Sequence, residues 1–331
     1  MPAPQLHLTF GTLCATNAGT PRKLAAAMQA EPTHTRLGSI IHDLPYYSNV
    51  AKTAVRFSLG LPGIPSPWGY KIHFERPGLL LRNFIERARL QRGLTQDEKH
   101  ALVGGFVSHI ALDVAMHPLV VALARRDVQE LGGIEDVHHW VCEKYQSAFF
   151  HAEMFGEDII GSKRFRDLAR LTKAGTVMRA RPEPQVLEFL REAFLDSYGE
   201  APTVKEWRRW MTEFRRFGAL ASGSVARKDS LKKRTAMMRE RYYHSESFEF
   251  MNYYEASRKK YAVLSELALD YYEAGDFTDP TRAQFDAAAR IDHLVFPSDA
   301  EIPALPGSGA NPAVVREEQR EDDVNAAEQA A

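Results

Sequence analysis

Apolar residues recur at three- and four-residue intervals over most of this chain, a period that predicts helices rather than strands. The clearest case opens at Thr95-Gln-Asp-Glu98, a capping-box pattern in which the Thr and Glu side chains satisfy free amide donors at a helix start. From there Ala101, Val103, Phe106, Val107, Ile110 and Leu112 are expected in the core, with His109, Asp113 and His117 along one side. Pro118 disfavours α geometry at the residue before it, so the helix is expected to end or kink at His117. Beyond Gly132-Gly133 a second helix is expected from Ile134 to about Phe155, with Val137, Val141, Tyr145, Ala148, Ala152 and Phe155 buried and His139 and Glu143 on another face.

Past residue 160 the pattern stays helical, with amphipathic segments near 185–198, 204–220, 231–243 and 246–274 and no internal repeat. Thr203-Val-Lys-Glu206 is a second capping box. It opens a segment in which Trp207, Trp210, Met211, Phe214 and Phe217 share a stripe flanked by Arg208, Arg209, Arg215 and Arg216. Such a face either packs on a core or rests on a membrane surface, its rings at the headgroup boundary. Leu-Pro-Gly-Ile-Pro-Ser-Pro-Trp-Gly at 61–69 reads as a loop. The fold class expected is all-α.

With 331 residues the chain can bury a large core, and a formal net charge of -1 argues against a general nucleic-acid coat. Seven Lys or Arg against two acids at 227–241 make a local basic stretch, read as a solvated helix face. Cys14 and Cys142 could form at most one disulfide, so this is no disulfide scaffold. The first thirty residues lack a basic region followed by an apolar core, and no window approaches eighteen consecutive apolar residues. A cytoplasmic location is the expectation. From about Ala304 onward Pro, Gly, Glu, Asp and Gln prevail, and residues 301–331 read as a disordered acidic tail.

Nine of the twelve histidines fall in the first 140 residues. His109, Asp113 and His117 follow one another at steps of four, as do His139 and Glu143, and residues four apart stack on one helix face. Imidazole nitrogen and carboxylate oxygen bind zinc at about 2.0–2.2 Å, so one turn of separation lets two side chains meet one ion. His7, His42-Asp43 and His73 add further ligand types. His138 lies roughly 100° around the helix from His139 and points elsewhere.

An early His, an Asp after an apolar stretch, an aromatic-x-x-His, a His-x-x-x-Asp and a later His-x-x-x-Glu together resemble the bacterial zinc-dependent phospholipase C family, whose ligand arrangement the related single-strand nucleases share. The resemblance covers roughly residues 5–155. It implies an all-helical fold and hydrolysis of a phospholipid or other phosphodiester by metal-activated water. One zinc would be held by Asp43, His73, His109 and Asp113, and a second by His117, His139 and Glu143. Asp113 would also bridge toward a third zinc contacted by His7. Asp43 would be the general base, and Tyr46, Tyr47 and Tyr70 would be candidates for substrate contact. The family's third ion also uses an amino-terminal tryptophan; this chain begins Met1-Pro2-Ala3, so a weaker third site is expected. The domain reading is a zinc-cluster core at 1–158, a helical extension packed on it at 159–300, and the tail. Two other readings stand beside it: a His/Asp-type nucleotide phosphohydrolase with His42 as ligand, and a non-catalytic helical protein stapled by zinc.

Overall fold

The computed structural model describes residues 4–58, 61, 66–176, 179–221 and 236–291. The carboxy-terminal tail and most of the basic stretch at 227–241 lie outside them. Fourteen α-helices, one 3-10 turn and two short antiparallel hairpins make up the described residues, so the all-α reading holds. The helices are α1 (Pro4–Cys14), α2 (Arg22–Ala30), α3 (Pro32–Gly38), α4 (Val50–Ser58), α5 (Pro67–Phe74), α6 (Pro77–Leu90), α7 (Gln96–Leu131) and α8 (Glu135–Phe155). They continue with α9 (Lys163–Leu168), α10 (Pro184–Tyr198), α11 (Val204–Ala221), α12 (Ala236–Tyr242), α13 (Phe250–Ala274) and α14 (Asp279–Ala289).

The central element is α7, a 36-residue helix opened by the expected capping box, in which Thr95 Oγ1 accepts from the Glu98 amide at 3.2 Å and Glu98 Oε2 from the Thr95 amide at 2.9 Å. It is buried along most of its length, with α1, α2, α3, α6, α8 and α13 packed around it. By length and composition α7 alone among the described residues could cross a membrane, and here protein surrounds its apolar middle. The helix does not end at His117: it continues through Pro118 to Leu131. Proline withholds one backbone donor and costs a helix interior about 3 kcal/mol. Leu119, Val120 and Leu123 just beyond it are fully buried with Cys142, Tyr242 and Phe248, and each such side chain contributes about 1.5–3 kcal/mol. Burial outweighs the lost hydrogen bond.

After Gly132 and Gly133, both at positive φ, the chain reverses into α8. The buried face of α8 is not the predicted apolar stripe. Of the expected stripe only Ala148 is buried and Val137, Val141, Tyr145, Ala152 and Phe155 are half-buried, while Cys142, Glu143, Gln146, Ser147, Phe149, Phe150 and His151 are buried. Polar residues occupy the inward face here because they meet a polar interior on α7 and α1, a case that apolar periodicity misreads.

The aromatic stripe of α11 is spent on the core. Trp207, Trp210, Met211 and Phe214 are buried, and the second capping box forms as expected at Thr203 and Glu206. One continuous apolar cluster runs from Leu6 to Ile291 and crosses the expected boundary at 158/159, so the helices after residue 159 pack into the same core as those before it.

Helices α3 and α7 approach closely. A Cβ at Gly105 would sit 2.2 Å from the Thr35 carbonyl oxygen, and one at Gly38 would sit 2.4 Å from the Leu102 carbonyl oxygen. Backbone meets backbone at both places, so neither neighbour can swing aside. Gly105→Ala is expected to destabilise the protein by about 1–3 kcal/mol, the range for overpacking a tight interior. The urea unfolding midpoint reads this, and a midpoint equal to that of the parent would mean that the helices do not cross so closely.

Candidate metal centre

Five elements deliver eight ligand-type side chains to one place. His109, Asp113 and His117 come from consecutive turns of α7, and His139 and Glu143 from α8, which runs back alongside it. His7 comes from α1, His73 from α5, and Asp43 from the turn between α3 and the 3-10 segment Leu44–Asn49. Three groups of ligand atoms converge: His7/His109/Asp113, Asp43/His73/His109 and His117/His139/Glu143. All eight predicted ligands are therefore in the cluster.

The distances are those of donors facing a shared centre. Nε2 of His109 lies 3.0 Å from Asp113 Oδ2, while Asp113 Oδ1 lies 3.2 Å from His7 Nε2 and 3.6 Å from His117 Nε2. Asp43 Oδ1 is 3.4 Å from His73 Nε2 and 3.9 Å from His109 Nε2, and its Oδ2 is 3.8 Å from His7 Nε2. Glu143 Oε1 is 3.3 Å from His139 Nε2 and 3.5 Å from His117 Nε2. Four donors placed tetrahedrally at zinc bond lengths stand about 3.3 Å apart. Asp113 joins the groups, one oxygen facing His109 and the other facing His7 and His117.

Carbonyl groups fix how two of the rings face. The Nδ1–H of His73 donates to the Gly69 carbonyl at 2.7 Å and that of His109 to the Ser39 carbonyl at 3.0 Å. A carbonyl can only accept, so in the neutral ring each Nε2 carries a lone pair turned to the cluster, the usual outer support of a metal-bound imidazole. The Ser39 carbonyl reaches His109 because α3 lies so close on α7. His7 is oriented through its own helix: two residues on, Thr9 Oγ1 lies 2.8 Å from His151 Nε2, tying α1 to α8.

Both oxygens of Asp43, Glu143 Oε2 and His73 Nε2 are buried without a hydrogen-bond partner. Buried polar groups left unpaired carry a heavy desolvation cost, and carboxylates the heaviest. A bound cation removes it, so the residues fit a metal by an observation independent of their spacing. Nitrogen and carboxylate donors suit zinc.

Electrostatics within the cluster couple the carboxylates to the imidazoles. Burial alone would lower the pKa of His109, but the Asp113 and Asp43 carboxylates raise it to about 9. Burial would raise those of Asp113 and Glu143, yet the imidazoles hold both below the ordinary carboxylate range: His109, His117 and His7 for Asp113, His139 and His117 for Glu143. His7 is lowered by burial and by His109.

The remaining predicted residues fall in three different settings. Tyr46 is half-buried with its ring 5.1 Å from that of His73, beside the cluster. Tyr47 is fully buried against Phe214 and Phe217, a core position with no exposed surface to offer a substrate. Tyr70 is exposed, stacked on Phe74, with its hydroxyl donating to Asp136 at the start of α8.

His42 belongs to none of the converging groups. It lies between Phe106 and His109, 4.5 and 4.8 Å from their ring centres, in a column that runs Phe84, Phe106, His42, His109, His7. The His/Asp-type reading needs His42 as a ligand; both its ring nitrogens are buried without a hydrogen-bond partner, although neither joins a converging group. His138 turns away from the cluster, with Nε2–H donating to the Gly132 carbonyl at 2.7 Å.

A cavity of about 10 Å³, room for about one water, adjoins the cluster. Leu6, His7, Leu112, Asp113, Met116, His117, Val120, Glu143 and Gln146 line it. Gln146 was missed from sequence, although it stands seven residues after His139 and three after Glu143, on the same helix face.

Set against known protein families, curated proteins and solved structures, the chain matches none of them.

Two outcomes follow for metal binding. His139→Ala should cost the protein one equivalent of zinc while His138→Ala keeps the full complement. Elemental analysis reads this, and equal loss from both variants would refute the register of α8. The second concerns pH. His109 with a pKa of about 9 is protonated at pH 7 and must lose that proton to bind an ion, so affinity should climb as pH rises from 7 toward 9. Binding at pH 7 should release protons, seen by calorimetry in buffers of different ionisation enthalpy; no release would show His109 to be already neutral.

Proposed function

We propose that this protein is a zinc-dependent phosphoester hydrolase of the phospholipase C type, acting on a phospholipid or another phosphodiester. The observation that carries the reading is Asp113, a buried carboxylate whose two oxygens face three imidazoles from two helices and link all the ligand groups. A staple for a helical bundle needs one closed four-ligand site. Shared ligands and an adjoining cavity of one-water size are what a multi-metal hydrolytic centre needs.

His117, His139 and Glu143 would hold one ion; Asp43, His73, His109 and Asp113 a second; His7 and Asp113 a third, weaker one. Zinc bound there supplies Lewis acidity, acidifying water and neutralising phosphoryl oxygens. The protein supplies the rest. Asp43 presents Oδ1 toward His73 and His109 and Oδ2 toward His7, so one oxygen serves as ligand while the other takes a proton. Leu6, Leu112, Met116 and Val120 make the remaining wall apolar and keep bulk water from the reacting oxygen. Tyr46, next to His73, is the tyrosine best placed to meet a substrate group.

The purified protein should carry at least two equivalents of zinc and hydrolyse an activated phosphodiester or phospholipid analogue. Chelation and Asp113→Asn should each abolish turnover. Asp43→Asn should keep most of the metal and lose most of the activity. A metal-free preparation made without chelators, or a zinc-loaded one inert toward a panel of phosphoesters, would sink the reading. Full activity in Asp43→Asn would remove its role as base.

A further inference from the structure

Gln146 is 1% exposed and lines the cavity beside the metal-ligand groups, yet its amide nitrogen, Nε2, has no hydrogen-bond partner. An unpaired buried donor costs about 1–3 kcal/mol. Nothing apolar at this position would carry that cost: methionine has similar volume and no polar atoms to satisfy. The position is set by the same periodicity as the ligands, since His139, Glu143 and Gln146 follow at i, i+4 and i+7 along α8.

The cavity wall holds two kinds of polar side chain. His7, Asp113, His117 and Glu143 belong to the candidate ligand groups, and their lone pairs would be committed to cations. Gln146 is the one polar wall residue outside the ligand groups, and the rest are Leu6, Leu112, Met116 and Val120. Glu143 Oε2 is also unpartnered, so the amide has not been taken up by the nearest carboxylate on its own helix. A donor of N–H kept free at the edge of a cation cluster, facing space for a single oxygen atom, matches an anionic oxygen. Metals would draw that oxygen in, and the amide would fix which way it lies.

We infer that Gln146 is a substrate-positioning residue whose side-chain N–H donates to a phosphoryl oxygen in this cavity, giving the site a preference for phosphate esters and for inorganic phosphate. The assignment rests on the phosphoester reading above and adds to it a recognition contact that is neither ligand nor base. Gln146 moves no proton and holds no metal.

The test uses zinc-loaded full-length protein and inorganic phosphate, with binding followed by calorimetry and metal content by elemental analysis. Gln146→Met should keep the zinc of the parent and weaken phosphate binding about tenfold or more, as expected for loss of a hydrogen bond to a charged group. With a phosphodiester substrate its KM should rise by a similar factor. Gln146→Glu, which puts an acceptor and a charge in place of the donor, should weaken phosphate further still. Parent protein that binds phosphate, with Gln146→Met binding it equally well, overturns the role of Gln146 and leaves the phosphoester reading intact. Zinc loss in both variants would make Gln146 part of the metal shell and overturn it too. Zinc-loaded parent protein that binds no phosphate and hydrolyses no phosphoester would overturn the reading on which the assignment rests.

Discussion

The contact of α3 on α7 through Gly38 and Gly105 is the constraint from which the candidate metal centre follows. Helix axes ordinarily stand 8–10 Å apart, the spacing set by the side chains between them. With two glycines at the crossing and backbone atoms in contact, the turn leaving α3 comes down directly onto α7. That places the Ser39 carbonyl on His109 Nδ1 and, four residues later, Asp43 against His109 Nε2. The same crossing admits α1: a Cβ at Gly11 would overlap Ser39 Oγ and crowd Ser108, so α1 approaches only as glycine permits, carrying His7. Three glycines outside the converging groups thus decide whether His7, Asp43 and His109, from three separate segments, can meet.

The long helix supplies the other half of the geometry. Because α7 passes through Pro118 without ending, His109, Asp113 and His117 remain on successive turns of one helix. Asp113 can then face His109 with one oxygen and His117 with the other. A break at Pro118 would have removed His117 from that line and cut the second ligand group from the first. The apolar residues after the proline, buried against α8 and α12, therefore support the cluster as well as the core.

How much of this was legible in the sequence depended on the kind of signal. Helical class, both capping boxes and the eight side chains that converge were readable, because spacing by four is a property of one helix and the amphipathic period is local. The continuation of α7 was not, since Pro118 is a local stop signal that is overridden by tertiary burial of Leu119, Val120 and Leu123. The buried face of α8 was misread because apolar periodicity assumes an apolar interior, whereas Glu143, Gln146 and His151 face a polar one. Tyr47 could not be told from a site residue by type alone; only the packing of Phe214 against it shows where it lies. Close passage of α3 over α7 is invisible in sequence except as glycines, which have many other uses.

The ring column from Phe84 to His7 gives the centre a thermodynamic character of its own. Phe84 and Phe106 are stacked 4.1 Å apart in the apolar core, and His42, His109 and His7 continue the pile to the cluster. Each ring is wedged between neighbours, so the rotamer freedom of His109 is surrendered when the chain folds rather than when an ion arrives. Side-chain ordering is among the main entropic costs of assembling any binding site. Here folding bears that cost for this imidazole in advance, so any ion the cluster took up would leave less ordering to do, and its affinity would be a property of the core's rigidity as much as of the donor atoms themselves.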